Sequence, residues 1–264
     1  MQQYADIPDL VDIHCHLLPW VDDGAQDLQA GLGLAKAAAV SRISTAILTP
    51  HVFPGRFDND LPSLRPEFAA FRKALESAGI ALELHLGGEV HLTPESLEMA
   101  VDGRAPLLGG WQGAKVMLLE FPDGHIPVGA LNAVRWLMRA GIVPMIAHPE
   151  RNKAVMRSPD AIEPFVREGC LLQLTAASVC GWFGQRAFDT AHELLRREQV
   201  TAVATDAHNL RYRPPVLIDA WCRLRDTYDA DLATLLCATN PAAIVAGRAE
   251  LGLDAEGAEP VRSA

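Results

Sequence analysis

One pattern repeats along most of this chain and limits what it can fold into. An amphipathic helical stretch is followed by a small-residue turn, a short strand apolar on both faces, and then a histidine or carboxylate. Seven such strands are legible, at 10–13, 45–49, 81–86, 115–119, 143–147, 170–174 and 201–204. Strands apolar on both faces belong in a parallel sheet covered by helices. Closing seven of them predicts an α/β fold, a distorted seven-stranded (β/α) barrel that is TIM-like but one strand short. Six of the seven strands end in His, Glu or Asp. In such barrels the chemistry sits at the carboxyl ends of the strands. Polar residues scattered over a surface would not track strand ends so regularly.

The intervening stretches carry ordinary helix punctuation. Asp27 is placed to cap a helix through Leu28, Leu32, Ala35 and Ala39, and Thr93-Pro94 opens another over 94–101. Further helices are expected at 63–78, 127–140, 158–168 and within 181–199, with Gly79, Gly141 and Gly169 as stops. Residues 52–60, VFPGRFDND, read as an irregular loop. From Pro214 onward the chain reads as helical with a break at Asn240-Pro241. A tail from about residue 254 is rich in Ala, Glu and Gly and is expected to be loose. No linker divides residues 1–264, so a single domain is expected.

Composition excludes some roles. A net charge of −10 argues against a nucleic-acid-binding surface. There is no run of eighteen apolar residues and no basic, then apolar, amino terminus, so neither a membrane span nor a signal peptide is expected. The five cysteines contain no C-x-x-C pair and read as reduced thiols of a cytoplasmic chain.

The first strand opens the stretch LVDIHCHLLPWVDDG. Side chains two apart on a strand share a face, so His14 and His16 can grip one ion. The alternative is a buried strand whose polar groups are merely hydrogen-bonded, but H-x-H at a strand end followed by D-D-G favours ligands. The polar strand ends are His14, His16, Asp23, His51, Glu89, Glu120, His148, Asp206 and His208. These are too many for one tetrahedral zinc and suit two or three divalent ions sharing carboxylates. Arg151 and Arg213 follow His148 and His208 closely and either reach over the ions toward a phosphate or pair with surface acids. Cys180 and Arg186 satisfy C-x5-R, the bare pattern of cysteine-dependent phosphatases, but no phosphate-cradling glycine loop lies between them. His85, His91, His125 and His192 read as structural or solvated.

DIHCHLLPWVDDG, ILTPH, GGEV, LLEFP, IAHPERN, SVCGWFG and TDAHNLRYRPP occur in this order and span nearly the whole chain. Together they resemble the PHP (polymerase and histidinol phosphatase) superfamily. They are most similar to the metal-dependent protein-tyrosine phosphatases of bacterial capsule and exopolysaccharide loci. The resemblance implies a PHP-type barrel with three divalent metals, often Mn2+, with Fe, Zn, Co or Mg as alternatives. It implies one ion on His14, His16, Glu89 and Asp206, a second on Glu89, Glu120 and His148, and a third on Asp23, His51 and His208. It also implies that Arg151 and Arg213 hold the substrate phosphate while a metal-activated hydroxide attacks phosphorus. The implied partner is the phosphotyrosine tail of a bacterial tyrosine kinase that tunes polysaccharide export. Cys15 stands where relatives often have Ser and is expected to point away from the two histidines. Loop 52–60 carries no firm match and is expected to shape the mouth that admits phosphotyrosine.

Two other readings of the same residues stand beside this one. The metal cluster equally serves a small-molecule phosphatase, acting for example on histidinol phosphate, or a phosphodiesterase. A catalytically silent metal-binding regulator would keep the ligands without turnover.

Overall fold

Ten strands succeed one another in the computed structural model: β1 (Leu10–Cys15), β2 (Ile43–Leu48), β3 (His51–Val52), β4 (Glu83–Leu86), β5 (Glu89–His91), β6 (Gly109–Trp111), β7 (Ala114–Glu120), β8 (Ile142–Ala147), β9 (Leu171–Thr175) and β10 (Ala202–Ala204). Residues 7–254 are described, so the expected loose tail lies outside the described residues beyond Asp254. Apart from β6, which forms an antiparallel hairpin with β7, all pairings are parallel. One sheet runs β1-β2-β4 and the other β10-β9-β8-β7-β5-β3.

The two sheets join because two of the seven staves are interrupted. Pro50 has no N–H for the ladder and separates β2 from β3. Gly87 and Gly88 separate β4 from β5. The staves nonetheless run on through Gly87 N–H to Leu48 O at 2.8 Å and Glu89 N–H to Pro50 O at 3.1 Å. At the other seam, Asp206 N–H donates to His14 O at 2.7 Å and His16 N–H to Ala207 O at 2.8 Å, which closes β10 on β1. The buried Asp12 carboxylate stitches the same seam by accepting from Thr205 N at 3.0 Å and from its hydroxyl. Burial outweighs those bonds and pushes the Asp12 carboxyl up to about 6. The fold is therefore the expected distorted seven-stave barrel.

Apolar side chains fill it in two layers. Val11, Ile13, Ile47, Val116, Leu118, Met145, Ala147, Ala202 and Ala204 pack inside the barrel, joined by Ile244 from the last helix. A larger layer lies between strands and helices. The inward alternation then delivers a polar residue to the mouth, with Val116 and Leu118 followed by Glu120. Asp206, two residues past the end of β10, reaches it with a positive φ of 53.

Most helices stand where the sequence places them, including Leu28–Val40 capped by Asp27 and Pro94–Val101 capped by Thr93. Three expectations change. The helix expected at 158–168 is a 3-10 turn, Pro159–Ile162, followed by the short helix Glu163–Arg167, because Pro164 interrupts the ladder. The break expected at Asn240-Pro241 is absorbed instead by a π turn, Leu235–Thr239, and the helix runs on from Ala230 to Glu250. The β6–β7 hairpin had no strong apolar run to announce it, yet Gln112 and Gly113 both have positive φ, as a tight primed turn requires. No membrane span is expected from the sequence, yet by length and composition the helix Ala230–Glu250 could cross a membrane. In the structure its Ile244, Gly247 and Arg248 are buried. The Arg248 guanidinium donates to the carbonyls of Leu86, Leu107 and Leu108 at 2.6–3.0 Å.

Candidate active site

The first two histidines reach the mouth through an irregularity. Simple alternation from Val11 and Ile13 would turn Cys15 inward. The register of β1 on β2 shifts between Asp12 and Cys15, and a shift of this kind re-aims side chains. His14 and His16 therefore face the mouth, and the Cys15 thiol turns to Ile47 O at 3.5 Å, away from them as expected. His148 is re-aimed in another way. Met145 and Ala147 point inward, so the next residue should not, but His148 takes left-handed backbone angles of φ 32 and ψ 54 and turns back into the mouth. Such angles are strained for a residue with a side chain and are found at functional sites.

The nine expected ligands converge. The Nε2 atoms of His14 and His16 lie 3.3 Å apart. Each is 3.2–3.4 Å from Glu89 Oε2 and Asp206 Oδ1. His51 lies 3.1 Å from Glu89 through Nδ1 and 3.4 Å from Asp23 through Nε2. His208 Nε2 is also 3.4 Å from Asp23. His148 Nε2 is 2.7 Å from Glu89 and 3.9 Å from Glu120. Among the described residues three sets of donor atoms arise, each within 4.8 Å: His14, His16, Glu89 and Asp206; His16, Asp23, His51 and His208; and His51, Glu89 and Glu120. The first is the expected set. The second adds His16 to the expected three. In the third, His51 stands where His148 was expected, with His148 on the far oxygen of Glu89.

These residues fit divalent cations by their own chemistry. Glu89 Oε2, Asp206 Oδ1 and His208 Nε2 are buried and have no hydrogen-bond partner, and each residue belongs to at least one of the sets. A buried polar atom left unpaired is costly unless something else satisfies it. Without cations, protons take that place. Burial opposes charge on His14, His16 and His51, but the carboxylates around them outweigh it and raise all three. Burial likewise opposes charge on Glu89 and Asp206, yet His14 with His51 holds Glu89, and His14 with Arg213 and Arg151 holds Asp206, well below the usual carboxylate range. His208 is the exception: burial and the neighbouring His16 push it down to about 4, so its ring is neutral at pH 7.

A pH dependence follows with a definite sign. Bound ions must expel the protons on His14, His16 and His51, so apparent Mn2+ affinity weakens as pH falls from 8 to 6. Calorimetry in buffers of different ionisation enthalpy at pH 7 should show net proton release when Mn2+ binds. Groups raised in the folded state stabilise below their unfolded value of about 6.5 and lose that contribution as pH rises through their folded values. The stripped protein should therefore melt lower at pH 8 than at pH 6, and the loaded protein should not. No net proton release would overturn the raised pKa values of these histidines in the stripped protein.

Three residues that the sequence leaves unassigned bond directly to expected ligands. Asp22 Oδ2 accepts from His16 Nδ1 at 2.6 Å and from His51 N at 3.0 Å, and Asp22 Oδ1 accepts from Gly24 N at 2.9 Å. Gln173 Oε1 lies 2.8 Å from His14 Nδ1, while its Nε2 donates to Leu174 O at 2.7 Å. That second bond fixes the amide, so Nδ1 of His14 carries the proton and Nε2 faces Glu89 and Asp206. His91, expected to be structural or solvated, lies 2.9 Å from Glu120. Buried Glu150, by contrast, accepts from Thr175 N at 3.0 Å, away from the expected ligands. The available signal was the alternation on β9, where Gln173 follows Leu171 inward.

The D-D-G turn explains its own glycine. A Cβ on Gly24 would lie 2.2 Å from His16 O. Gly24→Ala must push the turn off His16, costing about 1–3 kcal/mol. A melting temperature lowered by several degrees and reduced Mn2+ occupancy are expected. A melt within about 1 °C of the parent would show that the turn gives freely.

Arg151 and Arg213 both donate to the same Asp206 oxygen, Oδ2. Two guanidinium groups thus hang over the first donor set. Arg151 also lies on the Phe183 ring, 5.2 Å from its centroid. The C-x5-R alternative fails here. Cys180 ends the short helix Ala176–Cys180, at its negative pole, and burial pushes its thiol up to about 12. Of the other histidines, His192 bonds Tyr228 and Val179 O, and His85 pairs with Glu83.

Fold and side chains together define a class, the parallel-barrel proteins that hold divalent metals at their strand ends. Within it the comparison is specific: residues 10–246 match the family model for capsular polysaccharide synthesis, CpsB/CapC, and the chain belongs to that family. The tyrosine-protein phosphatase YwqE of Bacillus subtilis is 34% identical over 204 residues, covering 77% of this chain and 79% of YwqE. The tyrosine-protein phosphatase CpsB of Streptococcus pneumoniae is 27% identical over 245 residues, covering 89% and 98%. A solved structure among YwqE and CpsB, described as metal-dependent tyrosine phosphatases, matches with a TM-score of 0.84 at 30% identity, covering 90% of this chain and 95% of that one. An organophosphorus hydrolase from Deinococcus radiodurans shares the fold, with a TM-score of 0.56 at 14% identity.

Proposed function

We infer that this chain is a metal-dependent protein-tyrosine phosphatase. It acts in the cytoplasm on the phosphotyrosine tail of a bacterial tyrosine kinase that controls capsule or exopolysaccharide production. The observation that carries this reading is the convergence of Arg151 and Arg213 on Asp206, directly over a donor set that shares Glu89 with its neighbour. Three divalent ions, with Mn2+ the first choice, are assigned to the site. His14, His16, Glu89 and Asp206 hold one, Glu89, Glu120 and His148 a second, and Asp23, His51 and His208 a third. When bound, the ions supply an activated water and positive charge beside the phosphoryl oxygens.

The rest of the work falls to side chains. The two guanidinium forks match phosphate oxygens with paired donors and orient the ester. Asp22 and Gln173 keep His16 and His14 in the tautomer that leaves Nε2 free. The leaving group is a phenolate, whose conjugate acid has a pKa of about 10, so its departure needs no strong proton donor. No side chain is assigned as general acid.

Side-by-side turnover tests the reading. The Mn2+-loaded protein is expected to hydrolyse a phosphotyrosine peptide with kcat/KM at least about tenfold above histidinol phosphate, and far above a phosphodiester. Preference for histidinol phosphate or the diester would move the chain to another activity of the barrel. No turnover with Mn2+, Fe2+, Zn2+, Co2+ or Mg2+ would favour the silent regulator.

A further inference from the structure

Loop 52–60 is a built turn rather than an irregular connection. Arg56 N–H donates to Phe53 O at 2.9 Å, and Gly55 has φ 84, the geometry of a type II turn with Pro54 and Gly55 at its centre. Phe57 N–H to Phe53 O at 2.8 Å and Phe53 N–H to Phe57 O at 3.0 Å close it into a hairpin. Asp58 accepts from Gly55 N at 2.7 Å, and Asn59 Nδ2 donates to Val21 O and His51 O at 2.8 Å each. So anchored, the turn lays the Phe57 ring on His51, with centroids 5.4 Å apart and planes 11° apart. It lays the Phe53 ring on His91 at 4.0 Å and 19°.

A third ring stands across the mouth. Phe183 follows β9 and lies under Arg151. In the ring of staves β9 and β3 are on opposite sides, with β10 and β1 between them one way and β5, β7 and β8 the other. All three rings are half-buried, so each rests on the site wall and keeps part of its surface open. Phe57 therefore flanks the site from the His51 side and Phe183 from the Arg151 side.

We propose that Phe57 and Phe183, with Phe53 on the same turn as Phe57, form an aryl-selective slot that makes the site prefer phosphate esters of phenols to those of alcohols. The proposal rests on the phosphatase reading and gives its substrate class a structural cause. In this arrangement a phosphoryl group held by Arg151 and Arg213 directs its ester group outward on the side these rings flank. A phenyl ring there has aromatic surface to stack on, which a short alkyl chain cannot use in the same way. Phe57 acting only as packing for His51 would affect all phosphate esters alike.

The test is equilibrium binding of two non-hydrolysable phosphonates to the Mn2+-loaded protein by calorimetry. Phenylphosphonate is expected to bind at least about tenfold tighter than methylphosphonate, and Phe57→Ala and Phe183→Ala each to cut that ratio about fivefold. Phe57→Leu, which keeps bulk and guards against collapse of the turn, should cut it too, while Phe57→Tyr should preserve it. A parent ratio near one, a ratio maintained in the alanine and leucine variants, or equal weakening of both ligands would overturn the slot. Phenyl preference without turnover of a phosphotyrosine peptide would remove the phosphatase reading and leave the slot; turnover without phenyl preference would do the reverse.

Discussion

Glu89→Gln is expected to lower kcat toward a phosphotyrosine peptide by about 10³ or more and to strip metal from the purified protein. The reason is its position. Glu89 Oε1 lies 2.7 Å from His148, and Oε2 lies 3.1–3.3 Å from His14, His16 and His51. One carboxylate thus belongs to two donor sets. Glutamine is close in shape but replaces one oxygen with a donor, which would face ring nitrogens or cations on either side. Loss of the shared ligand therefore disturbs two positions at once, where loss of Glu120 would disturb one. Metal content by elemental analysis and steady-state kinetics read the result together. Glu150→Gln is the matched comparison, because Glu150 is equally buried but its bond is to Thr175 N. Its metal content should stay near the parent's. A Glu89→Gln protein with full metal and kcat within tenfold would end the shared-ligand account.

The regularity that made this site visible lies in the strand tips, and its limits are equally physical. Glu120 continues an inward alternation, so sequence spacing finds it; Asp206 keeps the same spacing but, like His148, has a positive φ (53). His14, His16 and His148 arrive by a register shift and a left-handed residue, which periodicity does not contain. They were found because histidine at a strand end is itself conspicuous. Gln173, Asp22 and His91 escaped for the opposite reason: an amide, a second aspartate and a spare histidine look ordinary until their partners are in place. The splitting of two staves at Pro50 and at Gly87-Gly88 left Glu89 and His51 at the start of short new strands rather than at the end of long ones. The expected barrel survives because the ladder bonds bridge both breaks. The turn at 52–60 read as irregular because Pro and Gly mark any loop, and only the paired Phe53 and Phe57 bonds distinguish a rigid one.

The arginines give the second large effect. Arg151→Ala and Arg213→Ala are each expected to lower kcat/KM for a phosphotyrosine peptide by about 10²–10³, with most of the loss in kcat. Both guanidinium groups meet one oxygen of Asp206 without substrate, so both are held within reach of the same phosphoryl group. Burial opposes the charge on Arg151, but Asp206, Glu150 and Glu89 outweigh it and raise its pKa, so it stays charged at every working pH. Lysine should not rescue either position well, since a point charge lacks the planar fork that grips two oxygens. Two groups acting on one phosphoryl unit are not independent. The double alanine variant should therefore lose less than the product of the single losses. Metal content should hold in all three variants, which separates phosphate handling from ligand loss. If either alanine variant keeps kcat/KM within about threefold, that arginine is only a lid on Asp206. The remaining guanidinium would then have to neutralise the transferring phosphoryl group alone.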